Sequence, residues 1–284
     1  MFTRRRITYR VEFWLLTFLF YGLISGAAQT AVAPLEPGHE IVTLDTRPGI
    51  IMRVLLAMPN AAPKGTFIFF PGGSGQLVAE SGQVREGFTG QQGTGLFAEQ
   101  GFVAVLVDWP SDQARGGSDQ FRASQAHTED IKRLIEFVSQ KWPKPIFLIG
   151  HSLGTISVAH LAGVLKDDRI SGVVLTGSDG GNRRRGPRTI SLSNLPLQNI
   201  TYPVLFVHHR DDGCFGLNAV RAQHNRVVKS PRLRFIEVVG GVSPQGDPCR
   251  GGKNPHTFLG REREVINAIA DWATGKPVAE RIGE

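Results

Sequence analysis

The sequence predicts an α/β fold, a mostly parallel β-sheet with helices on both faces. Three observations predict it. Thr66–Phe70, Phe102–Val107, Ile146–Ile149, Ile170–Thr176 and Pro203–Val207 read as short, largely apolar strands, as expected of strands buried on both sides. Between them lie segments long enough for crossovers, and Ile131, Leu134, Ile135 and Val138 recur at helical spacing in one of them. At 284 residues the chain can bury one full core, and neither an internal repeat nor a composition shift marks a second domain. A hydrophobic content of 41% with 20% charged residues excludes the disordered class.

The N-terminus is set apart. Arg4-Arg5-Arg6 and Arg10 precede an apolar run from Phe13 to Ile24, followed by Ser25-Gly26-Ala27-Ala28. A basic stretch, a short apolar stretch and small residues make a signal peptide over 1–28, cut after Ala27 or Ala28. The run falls short of the ~20 residues of a comfortable membrane span. An uncleaved anchor is the alternative, and only then would the protein meet a membrane. The expected location is exported, periplasmic or extracellular. Residues 1–28 carry +3 of the formal net charge of +7, which leaves +4 on the mature chain. That mild excess, without a groove pattern of basic and aromatic residues, does not point to nucleic acid.

Residues 29–39, rich in Ala and Pro, read as a linker, and 40–284 as a single domain. Glu40–Thr46 and Ile50–Met58 read as two strands joined by the turn Thr46-Arg47-Pro48-Gly49. The strand Thr66–Phe70 runs into Pro71-Gly72-Gly73-Ser74-Gly75. Successive glycines there let backbone N–H groups face an anion, although an ordinary glycine turn fits the same residues. Residues 76–94 read as surface loop, and Leu96–Gln100 as the end of a short helix. After the strand Phe102–Val107, Asp108 reads as a turn residue. Ala126–Lys141 is a helix ended by Trp142-Pro143.

Next comes the most informative stretch, Pro145 to Ala162. An apolar strand leads into Gly150-His151-Ser152-Leu153-Gly154, and a helical pattern follows with Ile156, Val158, Leu161 and Val164. Strand, sharp turn and helix are the context in which G-x-S-x-G is a nucleophile elbow. Neighbours of so tight a turn must be nearly free of side chain, hence the two glycines. The helix N-terminus then points its free N–H groups and positive dipole end at the reacting centre. A glycine-rich turn with an N-capping Ser is the plainer alternative.

Beyond the strand Ile170–Thr176, Gly177–Asn199 holds Arg183-Arg184-Arg185 and Arg188 and shows little apolar periodicity. It is too short for a large helical lid. The strand Pro203–Val207 ends in His208-His209-Arg210-Asp211-Asp212-Gly213-Cys214. Asn218–Val228 reads as helix, Leu233–Val239 as strand, Gly240–Asn254 as a loop with Cys249, and Arg261–Ala273 as an amphipathic closing helix. The tail from Gly275 is polar.

A nucleophile on a strand-to-helix turn, an acid after a later strand and a histidine before the last helix occur here in the order Ser…Asp…His. In this the chain resembles the α/β-hydrolases over nearly all of its mature length, most of all secreted bacterial ones with a P-G-G-x-G loop and an H-H-x-D-D-x-C acid loop. The resemblance implies a minimal cap and a serine hydrolase with Ser152 as nucleophile. Asp212 falls on the acid of H-G-x-x-D, with Asp211 as the alternative. His256 of His256-Thr257-Phe258 falls on the base of H-G-F. The oxyanion donors would be the N–H groups of Gly73 and Leu153, with Ser74 the alternative to Gly73. Pro71, His209 and Thr257 depart from the family pattern, where His, Gly and Gly are usual, and leave the three reacting side chains in place.

The activity this implies is carboxylic-ester hydrolysis through an acyl-enzyme, on a small-molecule ester and without a cofactor. Amide or peptide cleavage and acyl transfer use the same apparatus. A binding module on the same fold is the reading from another class. Cys214 and Cys249 are the only cysteines; export makes a disulfide between them the expectation, and two cysteines without clustered histidines make a poor metal site. Cys214 lies two residues after Asp212 and Cys249 seven before His256, so contact between acid and base would bring the cysteines together. His151 is expected to point away from the serine. His127, His160 and His224 read as surface or packing residues on helices, and His39 lies in the linker.

Overall fold

A computed structural model describes residues 32–77, 83–114, 116–180, 190–243, 246–249 and 254–284. The segment read as a leader lies outside them, as do Arg183, Arg184, Arg185 and Arg188. Within the stretch read as linker, β1 (Val32–Ala33) pairs antiparallel with β5 (Val84–Arg85).

Nine strands form the main sheet. The turn at Pro48 and Gly49 folds β2 (His39–Arg47) antiparallel onto β3 (Ile50–Ala57), and β3 pairs antiparallel with β6 (Val103–Pro110). The remaining pairs are parallel, through β4 (Thr66–Phe70), β7 (Ile146–His151), β8 (Ile170–Thr176), β9 (Val204–His209), β10 (Leu233–Val238) and β11 (Arg281–Ile282). Their spatial order is β11-β10-β9-β8-β7-β4-β6-β3-β2. The helices are α1 (Gln91–Glu99), α2 (Asp119–Arg122), α3 (Gln125–Lys141), α4 (Gly154–Val164), α5 (Leu217–His224) and α6 (Glu262–Ala273).

Successive side chains of a strand point to opposite faces, and β4 feeds two cores in this way. Phe67 and Phe69 pack with Phe97 of α1 and with Ile266, Ile269 and Trp272 of α6. Ile68 and Phe70 pack with Ile131, Leu134 and Ile135 of α3 and Ile156 and Val158 of α4. Truncating a ring such as Phe67, fully buried, to Ala would cost roughly 3–5 kcal/mol. Helix α4 sits directly behind the elbow and is buried at Gly154 through Ala159, Leu161 and Ala162, so it shows no polar face along that stretch.

Three elements differ from the sequence reading. The stretch 76–94 is not plain surface loop: Leu77, Val84, Arg85 and Phe88 are buried, and α1 begins at Gln91. Its polar composition hid a packed segment, because the buried residues are too far apart to show a period. Asp108 is no turn residue but a buried part of β6; its carboxylate accepts from the N–H groups of Leu77 and Trp109 and pairs with Arg53 at 3.1 Å. The polar tail adds β11 to the sheet edge, where backbone hydrogen bonding to β10 needs no apolar run.

Candidate active site

The elbow is built as its glycines require. Ser152 has φ of 53°, the left-handed region that a non-glycine residue occupies at a cost of about 1–3 kcal/mol. A Cβ on Gly154 would lie 2.0 Å from the Phe70 carbonyl oxygen, and one on Gly150 would lie 2.5 Å from that of Gly154. Neither glycine can therefore carry a side chain. The Ser152 N–H donates to the Thr176 carbonyl at 3.0 Å, tying the elbow to the neighbouring strand end. Leu153 caps α4, and its N–H donates to no acceptor among the described residues.

Asp212 and His256 meet across the strand ends. The His256 Nδ1 donates to Asp212 Oδ2 at 2.7 Å, while Oδ1 accepts the N–H groups of Cys214 at 2.8 Å and Phe215 at 3.1 Å. His208 Nε2 stands 3.7 Å from Oδ2 and 2.9 Å from the Phe215 carbonyl oxygen. Burial pushes the Asp212 carboxyl up, but His256, His208 and the Phe215 N–H outweigh it and bring the pKa down to about 2. Asp212 is thus a buried carboxylate that holds the Nδ1 proton of His256. Asp211 is exposed, and its N–H donates to His209 Nδ1. That leaves the His209 proton on Nε2, which donates to the Gly240 carbonyl at 2.8 Å. The disulfide Cys214–Cys249 is present, with Cα atoms 4.9 Å apart. It fixes the residue whose N–H holds Asp212.

His151 does not simply point away from the site: its ring centroid lies 4.8 Å from that of His256. The Thr176 hydroxyl donates to the Gly150 carbonyl, so it accepts from His151 Nδ1, which carries the proton. Burial, with the nearby His256, holds the His151 pKa well below its ordinary value. The ring is a neutral plate between Phe88, Phe258 and His256. Phe215 packs on the other ring of that pair with centroids 5.5 Å apart. No hydrogen bond joins the Ser152 hydroxyl to His256 among the described residues.

The glycine loop closes the site. A Cβ on Gly72 would lie 2.5 Å from Ser152 Cβ, so the loop backbone rests on the elbow itself. Gly73 has φ of 63°. The N–H groups of Gly72, Gly73 and Ser74 donate to no acceptor among the described residues. Two buried arginines, Arg85 and Arg122, reach this loop. Sequence reasoning missed both, since a lone arginine in a polar stretch carries no signal of burial. His208, at the end of a strand in the sequence, also lies beside the acid, four residues before Asp212 in the H-H-x-D-D run. No cluster of His, Cys, Asp and Glu suited to a metal ion occurs among the described residues.

A family model described as serine aminopeptidase, S33, matches residues 90–213. No curated protein matches the chain in sequence. Among solved structures, the fold is similar to XC6422 of Xanthomonas campestris, an α/β serine hydrolase without a lid. The identity is 15%, over 87% of this chain and 99% of that one, with a TM-score of 0.57. Est1E of Butyrivibrio proteoclasticus shows 16% identity over 83% of this chain and 98% of its own, with a TM-score of 0.56. An esterase of Pyrococcus furiosus shows 14% identity over 87% and 98%, with a TM-score of 0.60.

Proposed function

We propose that this chain, which has the α/β-hydrolase fold and matches a serine aminopeptidase family model over residues 90–213, is an exported serine hydrolase acting on small carboxylic esters. The observation that carries this is the buried Asp212–His256 hydrogen bond at the strand ends that also hold the Ser152 elbow. In this reading the Ser152 Oγ attacks the ester carbonyl. His256 Nε2, left with a free lone pair because Nδ1–H is given to Asp212, takes the hydroxyl proton and passes it to the leaving alcohol. The serine-to-histidine contact commonly tightens only when substrate binds. Negative charge on the carbonyl oxygen is received by the N–H groups of Gly73 and Leu153, with Ser74 the alternative to Gly73. Water, activated by the same histidine, then frees the acid from the acyl-enzyme.

The family description keeps amide and peptide cleavage as the second reading. Export rests on the leader-like N-terminus and on the disulfide, a bond favoured outside the reducing cytosol. No helix among the described residues is long and apolar enough to cross a membrane.

The test is turnover of matched p-nitrophenyl esters and amino-acid p-nitroanilides by the wild type and by Ser152→Ala. Ester turnover lost in the variant supports the proposal. Anilide turnover exceeding ester turnover transfers it to the peptidase reading. Equal turnover by both proteins refutes it.

A further inference from the structure

The loop Pro71-Gly72-Gly73-Ser74 is held by its carbonyl groups, one after another. Pro71 O accepts from Arg122 Nη2 at 3.1 Å, and Gly73 O accepts from the same nitrogen at 3.3 Å. Gly72 O accepts from Arg85 Nη1 at 3.3 Å and from the Gly75 N–H at 3.2 Å. Ser74 O accepts from Trp109 Nε1. All three side-chain donors are buried.

In a trans peptide the C=O of one residue and the N–H of the next point in opposite directions. No peptide bond among the described residues is cis. Drawing Gly72 O toward Arg85 therefore turns the Gly73 N–H the other way. Drawing Pro71 O and Gly73 O toward Arg122 does the same for the N–H groups of Gly72 and Ser74. The outcome is a run of N–H groups without acceptors among the described residues, on a loop in contact with Ser152, an anion-receiving arrangement set by two buried guanidinium groups.

Arg85 has a second property. Among the described residues no carboxylate lies within ion-pair distance of it, the only hydrogen bond of its guanidinium group is the one to Gly72, and its Nε has no partner. Burial lowers its pKa to about 10, so it stays charged at neutral pH. A buried cation without a counter-charge is costly in the resting protein. It becomes favourable once a negative charge develops nearby. Its backbone is pinned for this position: Arg85 pairs with Val32 of β1, and its N–H donates to the Leu77 carbonyl at 2.9 Å.

We infer that Arg85 is a positioning residue for the oxyanion loop: it orients the Gly73 N–H through the Gly72 carbonyl and supplies a buried positive charge that favours the tetrahedral oxyanion over the neutral ester. Arg122 plays the corresponding part for Ser74. The inference rests on the serine hydrolase reading. It reaches further, since it makes rate depend on a residue that touches neither substrate nor any of the three reacting side chains.

The test compares Arg85→Met, Arg85→Lys and Arg122→Met with the wild type. It measures kcat and KM on a p-nitrophenyl ester, the inhibition constant of a boronic acid that mimics the tetrahedral state, and Tm. Loss of a correctly placed oxyanion donor costs about 10²-fold in kcat. Arg85→Met is expected to lower kcat by about that factor with KM within twofold, and to weaken the boronic acid in parallel while the ester KM holds. Arg85→Lys, which keeps the charge, should recover part of the loss. A structural role alone would lower Tm and the active fraction without touching boronate affinity, and that pattern overturns the inference. So does wild-type kcat in a folded Arg85→Met. If Arg85→Met does not fold, Arg85→Lys decides: wild-type kcat and boronate affinity overturn the inference, and a parallel fall in both supports it. A larger loss in Arg122→Met than in Arg85→Met transfers the donor from Gly73 to Ser74 and overturns the primary assignment to Arg85. An inactive wild type, or a Ser152→Ala variant as active as the wild type, refutes the serine hydrolase reading and this inference with it. An active wild type beside an unaffected Arg85→Met refutes this inference alone.

Discussion

Replacing Asp212 by Asn keeps the shape of the side chain and removes its charge. Oδ1 can still accept the N–H groups of Cys214 and Phe215. The other position is an acceptor now, and turned into an amide nitrogen it would donate to His256 Nδ1. The imidazole proton must then sit on Nε2, and the ring loses the lone pair that would take the serine proton. A wrong tautomer of this kind costs about 10⁴ in kcat. Stability responds as well. The carboxyl pKa is depressed from 3.8 to about 2, which corresponds to about 2 kcal/mol of stabilisation at neutral pH. A depressed carboxyl contributes fully above its unfolded pKa and loses that contribution as pH falls through its folded value. The stability gap between wild type and Asp212→Asn should be full above about pH 5 and close toward pH 2. Urea titrations over that range, with steady-state ester kinetics at neutral pH, measure both effects. Asp211, exposed and joined to the fold here through its backbone N–H, should tolerate the same replacement. A kcat for Asp212→Asn within tenfold of wild type, or an equal loss in Asp211→Asn, refutes the assigned register.

Three further outcomes follow from the packing. Removing the disulfide by Cys214→Ala with Cys249→Ala releases a loop of sequence separation 35; urea titration should show a loss of up to about 4 kcal/mol, and kcat should fall at temperatures where the fold persists, because Cys214 N–H holds Asp212. Buried His127 has no hydrogen-bond partner on either ring nitrogen among the described residues, and burial, with Arg122 nearby, lowers its pKa to about 3. The unfolded chain therefore binds a proton below about pH 6.5 that the folded chain does not, and stability falls with pH. His127→Phe, which can keep the ring contacts to Phe70 and Phe121, should relieve about 2 kcal/mol of that loss at pH 5 in denaturant titrations. Gly154→Ala would drive a methyl group into the Phe70 carbonyl, and a melting curve should show a loss of at least 2 kcal/mol.

The sheet was legible because its central strands are short apolar runs bounded by turn residues. Thr66–Phe70 and Ile170–Thr176 coincide with the observed strands residue for residue. The expected disulfide is there for the reason given, acid and base loops brought side by side. The pairing of Asp212 with His256, rather than Asp211, depends on which way two adjacent side chains turn, and the matching register of a family motif was the available guide. What the sequence did not show is support from polar residues. Arg85 and Arg122 act from buried positions in stretches without apolar periodicity, and β1 and β11 are two-residue strands too short to show a pattern. Burial of a charged side chain is decided by distant segments, and no local pattern records it.

The central claim is an activated Ser152, and a fluorophosphonate probe reads it directly. The wild type is incubated with the probe, and intact-mass spectrometry is followed by peptide mapping. One adduct per chain on Ser152, lost in Ser152→Ala and slowed strongly in His256→Ala, is the result predicted. An unlabelled wild type, or an adduct on any other residue, contradicts it.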